Sequence, residues 1–228
     1  MSLAIDNQNE LKEYREGEIP KQPYIIRLIA HIISYVFHPI FIPVYTAWFL
    51  IYIQPYLFSG FTQKKLTFTM IQFLVMYALF PLVTTLLLKG LNFIKSVQLK
   101  SQRDRVIPYV ICMIYYFWVW YVLKNQPEYP SAIVQFTLAI FIASIGGLMG
   151  NIYMKVSMHA IAVGVVATFM MLLGFSQNIN FGLYISIALL ITGLVATARF
   201  IVSDHTPKEI YGGLLIGILS QLIAHYVG

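Results

Sequence analysis

The residues of this sequence that could do chemistry fall into three short polar clusters separated by long apolar runs. The clusters lie at residues 100–108, 155–159 and 199–209, and they are rich in Arg, Lys, His and Ser. Arginine offers a planar fork, lysine a point charge, and hydroxyl or backbone N–H groups neutral donors, which together suit a phosphate group. Histidine can act as a nucleophile or as a proton donor near neutral pH. The clusters therefore indicate phosphate binding combined with histidine chemistry.

The apolar runs between the clusters predict helices that bring the clusters together. A membrane span needs about 20 mostly apolar residues, and we predict such segments at residues 28–53, 68–89, 106–123, 131–152, 157–175, 181–202 and 207–227. Two of these helices separate the first cluster from the second, and two more separate the second from the third. Because an even number of crossings returns the chain to the same side, we expect one cavity at a membrane face to be surrounded by Arg105, His159, Arg199 and His205.

The composition indicates that lipid, rather than water, surrounds most of the chain. Hydrophobic residues make up 59% of the 228 positions and charged residues 11%, whereas soluble domains carry roughly 25% charged residues. We predict an all-α fold, a polytopic transmembrane helix bundle of six or seven spans, in which residues 1–23 are a polar tail and residues 24–228 a single membrane-embedded domain. The first segment contains Pro39 and Pro43, and predicts either one span or an interfacial helix followed by a span.

The formal net charge of +6 and the single cysteine narrow the function classes further. The sequence has no basic domain that could hold a nucleic acid, and Cys112 alone provides neither a disulfide framework nor a two-cysteine redox centre. Twelve of the fifteen Lys and Arg residues fall on the side that carries the clusters. The positive-inside rule assigns that side to the cytoplasm, although cations that bind substrate carry no topological information.

The order and spacing of the polar residues are more specific than their composition. Arg199 is followed after five residues by His205 and after three more by Glu209, and upstream lie Arg105 and the Ser-Met-His sequence at 157–159. This pattern resembles the motifs K-x6-R-P, P-S-G-H and S-R-x5-H-x3-D, in that order. They belong to the type 2 phosphatidic acid phosphatase family, membrane lipid phosphatases whose core is shared with vanadium haloperoxidases.

The resemblance covers roughly residues 98–217, and the sequence departs from the family pattern within that range. The first-motif lysine would fall at Gln98, so that Lys100 or Arg103 would replace it, and the motif proline is displaced to Pro108. The second-motif glycine, the serine before the third-motif arginine and the last aspartate are replaced by Met158, Ala198 and Glu209. These departures leave open a catalytically degenerate member of the same fold that serves as a membrane scaffold or lipid-head-group binder.

The resemblance implies a role for each matched residue. His205 would attack phosphorus and form a phosphohistidine, Glu209 would orient the imidazole, and His159 would protonate the leaving oxygen and then activate water. The phosphate oxygens would be neutralised by Arg199, Arg105, Lys100 or Arg103, and Ser157. The implied substrate is a lipid phosphate or diphosphate in a bacterial cytoplasmic membrane, and the scheme requires no metal ion or other cofactor. Bacterial members of the family commonly act on the outer face of that membrane.

Other interpretations of the same residues remain open. His159, His205 and Glu209 could ligate a metal ion, since the last two are four residues apart, but the neighbouring cations would repel a divalent ion. A transporter would more commonly show broken helices at the midplane. Ser157 is typical of a helix N-cap, His159 of a hydrogen bond between helices, and the aromatic residues of 106–123 of an interfacial belt. We interpret His31 and His38, seven residues apart, as interfacial or packing residues.

Overall fold

The computed structural model describes residues 2–5, 11–14, 22–99, 101–176, 180–202 and 205–228. A short antiparallel hairpin pairs Ser2–Ile5 with Leu11–Tyr14, and all other regular secondary structure in the described chain is helical. The helices are α1 Tyr24–Val36, α2 Ile42–Ile53, α3 Gln63–Gly90, α4 Gln102–Lys124, α5 Ser131–Tyr153, α6 Met158–Ser176, α7 Gly182–Val202 and α8 Pro207–Val227. Six of these, α3 to α8, are long and apolar enough to cross a membrane. The predicted all-α bundle is confirmed, and the chain is an integral multi-pass membrane protein.

The first predicted segment is two helices rather than one. Helix α1 has 13 residues, which corresponds to about 20 Å, and α2 is shorter still. Neither reaches across a hydrocarbon core of about 30 Å. The break between them holds Pro39, and Pro43 follows in the first turn of α2. A proline lacks the N–H group that a continuous helix would need, so these prolines separate the two helices. The spans long enough to cross therefore number six in the described chain.

Close backbone contact between α6 and α8 places their first turns side by side. A Cβ atom on Gly164 would lie 2.7 Å from the carbonyl oxygen of Leu214, and one on Gly213 would lie 2.8 Å from that of Ser157. A Cβ on Gly217 would meet the carbonyl oxygen of Ile161. Small residues four apart allow membrane helices to approach in this way. The second and third polar clusters are thus held at the same end of the bundle.

Helices α3 and α4 each turn a proline toward the interior of the bundle. In α3 the backbone widens into a π-turn over Leu74–Leu79 immediately before Pro81, as helices often do where the regular hydrogen bonding is interrupted. In α4 the proline is Pro108, the last residue of the first cluster. Pro81 and Pro108 both line a cavity that α2, α5 and α6 enclose from the other sides.

Candidate functional site

The three polar clusters meet at one cavity, as the even number of crossings predicts. The cavity has a volume of about 290 Å³, and its lining includes Arg105, His159, Arg199, His205 and, in addition, His38. These side chains come from the first turn of α4, the first turn of α6, the last turn of α7, the α7–α8 turn and the α1–α2 break. The convergence of the four residues named from sequence is therefore confirmed, while their chemical roles stay predictions.

His205 is held by the carboxylate of Glu209. Its Nδ1 atom lies 3.1 Å from Glu209 Oε2, and the two side chains are 3% and 14% exposed. The same oxygen accepts the backbone N–H of Thr206 at 2.9 Å, and Thr206 Oγ1 accepts the N–H of Glu209 at 3.4 Å, which completes a capping box at the start of α8. The carboxylate position is thus set by the helix start. No described residue hydrogen-bonds Nε2 of His205, so this nitrogen is available to the cavity.

The surroundings of His205 favour its neutral form. Burial lowers the pKa of His205 from its ordinary value, and the positive charges of Arg105 and Arg199 lower it further. The hydrogen bond to Glu209 acts in the opposite direction and raises the pKa, without reversing the net direction. With Nδ1–H donated to a carboxylate, neutral His205 carries its lone pair on Nε2. A nucleophile at neutral pH requires this tautomer.

His159 and Arg199 both contact Ser34 near the end of α1. His159 Nε2 lies 3.0 Å from the Ser34 carbonyl oxygen, and Arg199 Nη1 donates to Ser34 Oγ at 3.4 Å. The carbonyl groups of a last helical turn have no partner within the helix, and the Nε2–H of His159 satisfies one of them. The interpretation of His159 as a histidine bonded between helices therefore describes this contact, and Nδ1 is left as the nitrogen that can exchange a proton.

Arg105 is a buried arginine that joins two loops and faces the cavity. Its Nε donates to the carbonyl of Leu99 at 2.9 Å and its Nη1 to the carbonyl of Val156 at 2.7 Å. The side chain is 5% exposed. Its Nη2 donates to no described residue, so both Nη2 hydrogens remain for an anion in the cavity, together with the second hydrogen of Nη1.

Two predicted phosphate ligands, Ser157 and Arg103, do not line the cavity. Ser157 is fully buried: its Oγ accepts the N–H of Ala160 at 3.4 Å, and its own N–H donates to the Glu209 carbonyl at 3.1 Å. It acts as the N-cap of α6. Arg103 is exposed, because residues two apart on a helix point in different directions and Arg105 faces inward. Lys100 lies outside the described residues.

Two polar residues that line the cavity, His38 and Gln98, were not among the predicted site residues. His38 was interpreted as an interfacial or packing residue, yet it lines the cavity with its ring centroid 5.3 Å from that of His159. Burial, and secondarily the charge of Arg199, lower its pKa. The adjacent Pro39, which marks the helix break, was the signal that could have placed it at a helix end. Gln98, where the family motif would have a lysine, also lines the cavity, and its side-chain amide carries neutral N–H donors.

The described residues include no group of three His, Cys, Asp or Glu side chains arranged to hold a metal ion. Comparisons with protein-family models, curated proteins and solved structures find no match to this chain.

Proposed function

We propose that this membrane protein is a phosphohydrolase of a lipid phosphate or diphosphate that works through a phosphohistidine intermediate. The observation that carries the proposal is His205, whose Nδ1 is bonded to Glu209 while the ring lines a cavity shared with two arginines and His159. A nucleophile oriented by a carboxylate, with a second proton carrier and cationic groups around one space, has the components that phosphoryl transfer requires.

In the first step, the lone pair on Nε2 of His205 attacks phosphorus. The bond between phosphorus and the leaving oxygen breaks, and protonated His159 delivers the proton on its Nδ1 to that oxygen, which departs as a lipid alcohol or phosphate. In the second step, neutral His159 takes a proton from water as the water oxygen attacks the phosphohistidine. The P–N bond then breaks, inorganic phosphate leaves and His205 regains its lone pair.

The cationic groups stabilise the charge that spreads over the phosphoryl oxygens during transfer. Arg105 contributes its free Nη2 hydrogens, Arg199 lies beside both histidines, and Gln98 contributes neutral N–H donors. Because Arg105 is anchored by two backbone carbonyls, it needs no reorganisation when the charge develops, which is the property that makes such donors effective.

A lipid substrate is favoured by the position of the site. The clusters lie at one end of six candidate spans, where a head group anchored in the bilayer would be located. The cavity wall continues from the charged residues into apolar side chains of α4, α5 and α6. A phosphate carried on an apolar anchor would match both parts of the lining.

One observation favours a second candidate, a lipid-head-group binder without catalytic activity. His159 Nε2 and two of the nitrogens of Arg105 are committed to backbone carbonyls, and such contacts would be useful in a structural role alone. Such a protein would bind phosphate but not release it from an ester.

The discriminating experiment measures phosphate release from lipid phosphates by the purified protein in detergent, with and without chelator. We expect release that chelator does not affect and vanadate inhibits, since vanadate adopts the five-coordinate geometry of the phosphoryl group in transfer. His205→Ala should abolish release, whereas His225→Ala is the matched control, because His225 bonds Gln135 at the other end of α8. Binding without release would favour the head-group binder, and activity lost with chelator and restored by zinc would favour a metalloenzyme.

A further inference from the structure

His38 is a third histidine at the cavity, and it has no role in the reaction proposed above. It lies in the break between α1 and α2, where the backbone N–H of Phe41 donates to the His38 carbonyl at 2.9 Å and closes a turn. Pro39 occupies the second position of this turn, where its fixed φ is favourable. The turn therefore holds the His38 ring at the wall of the cavity that His159 and His205 also line.

The backbone also sets which nitrogen of His38 carries the ring proton. Nδ1 accepts the backbone N–H of Ile40 at 3.4 Å, so the neutral ring has its hydrogen on Nε2. Burial, and secondarily the charge of Arg199, lower the pKa of His38 and favour this neutral form. No described residue hydrogen-bonds Nε2, and this atom keeps accessible surface. His38 thus offers a neutral N–H donor to the cavity that its ring lines.

His38 lies beside His159, and the two rings meet edge to face. Their centroids are 5.3 Å apart and their planes are inclined at 82°, a separation that permits one oxygen atom to hydrogen-bond a nitrogen of each ring. His159 Nε2 is bonded to the Ser34 carbonyl, so its Nδ1 is the nitrogen that exchanges a proton. The two open nitrogens are therefore complementary, since His38 Nε2 is a fixed donor and His159 Nδ1 gives up or takes a proton.

We propose that the Nε2–H of His38 donates a hydrogen bond to the leaving oxygen while protonated His159 delivers its proton to the same oxygen. This inference rests on the proposed function, because it takes the phosphoryl group to be transferred to His205. The bond between phosphorus and the leaving oxygen breaks, the oxygen gains its proton from His159 Nδ1, and the proton on His38 stays on Nε2. Such a donor stabilises the charge that develops on the oxygen. Because it is neutral, it adds no positive charge that would oppose protonation of His159.

Substitutions at His38 test this donor through kcat/KM for a long-chain alkyl phosphate and an aryl phosphate, measured with the full chain in detergent. His38→Phe keeps a ring but removes the donor, and should lower kcat/KM for the alkyl ester about 10–100-fold, as expected for a hydrogen bond to an oxygen that gains charge. The loss on the aryl ester should be smaller, because an aryl oxide needs less stabilisation. His38→Gln places an amide N–H near the position of Nε2, and should recover most of the activity.

His31→Phe is the matched control for the loss of a histidine from this part of the chain. His31 lies seven residues earlier, on α1, is exposed and does not line the cavity, so kcat/KM should stay at the wild-type value for both esters. Equal losses of His38→Phe on the two esters, or a His38→Gln variant as impaired as His38→Phe, would overturn the donor and leave the phosphatase intact. Should His38→Phe not fold, His38→Asn replaces it, because the shorter amide reaches only the position of Nδ1, and equal activity of the Asn and Gln variants would overturn the donor.

Binding of inorganic phosphate distinguishes failure of this inference from failure of the proposed function. If the wild type hydrolyses neither ester, the proposed function fails, and the affinity for phosphate decides whether His38 contacts an anion in the cavity. His38→Phe should then weaken binding about tenfold, whereas His38→Gln and His31→Phe should bind phosphate as the wild type does. Equal affinity in all four proteins, or no binding by the wild type, would refute the contact.

Discussion

Replacement of Glu209 by glutamine separates its two contacts. Glu209 Oε2 accepts hydrogen bonds from His205 Nδ1 and from the backbone N–H of Thr206. A glutamine oxygen can still accept from the backbone, so the helix cap survives, but the negative charge beside His205 is lost. A hydrogen bond to a charged group contributes about 1.5–3 kcal/mol and a neutral one about 0.5–1.5. The difference of ~1–2 kcal/mol corresponds to roughly 5–30-fold in rate, and more if the amide nitrogen turns toward Nδ1 and reverses the tautomer.

The pH profile gives this prediction a direction as well as a size. In the proposed mechanism His205 attacks in its neutral form, and burial already lowers the pKa of His205 below the ordinary value of 6.5. The acidic limb of kcat/KM should therefore lie below pH 6.5 in the wild type. Because the bond to Glu209 raises the pKa of His205, Glu209→Gln should move the limb to still lower pH. The assay is phosphate release between about pH 4.5 and 8, a range that includes the ordinary histidine pKa.

Thr206→Ala is the matched control for this change. It removes the hydroxyl that accepts the N–H of Glu209 but leaves the carboxylate and its bond to His205 in place. Loss of an N-cap costs about 1 kcal/mol of stability, so the melting temperature should fall while kcat/KM changes little. If Glu209→Gln behaves like Thr206→Ala, with an unshifted pH profile, then Glu209 is only a helix cap and the assigned role of His205 loses its support.

Three further predictions address the rest of the site. His159→Ala should lower turnover of an alkyl ester by about 10²–10⁴-fold, and its turnover of an aryl phosphate should be partly restored. His205→Ala should be inactive on both substrates, and equal losses of the two variants on the aryl phosphate would contradict the assignment. Arg105→Lys should lower both activity and melting temperature, because a lysine cannot hydrogen-bond two carbonyls and a phosphate at once, while Arg103→Lys should change neither. Equal effects of the two variants would mean that the buried Arg105 has no role that the exposed Arg103 lacks. Gly217→Ala should destabilise the protein by about 1–3 kcal/mol, since its Cβ meets the backbone of α6, and an unchanged unfolding midpoint would show that the helices can separate without cost.

The bundle and the convergence of the clusters could be predicted from the sequence because both depend on long apolar runs. Six such runs gave six helices, with ends within a few residues of the prediction for all but the span at Gln63–Gly90. The number of crossings between clusters then fixed the shared face without any knowledge of packing. The pattern could not decide whether the first segment is one span or two helices, because its two prolines allow a kinked span as well as a break.

The direction in which each side chain points could not be predicted from the sequence either. The same cluster supplied Arg105, which faces the cavity, and Arg103, which does not, and only the rotation of α4 distinguishes them. Tyr109 was compatible with an interfacial belt, but its packing against Gly147 of α5 places it in the interior of the bundle. His38 matched no motif, so that its place beside His159 depends on the fold alone.

The partners of the two predicted histidines support different roles for them, independently of the motif resemblance. His205 Nδ1 is bonded to a carboxylate, and His159 Nε2 to a backbone carbonyl beside Arg199. A phosphorylated imidazole that keeps its other N–H is positively charged, and a carboxylate stabilises that charge better than a neutral carbonyl does. A protonated imidazole whose other nitrogen meets only a neutral carbonyl has no such counter-charge and gives up its proton more readily. We therefore expect the proposed intermediate on His205 and the proposed proton transfer on His159, with each ring fixed by one nitrogen so that the other can react.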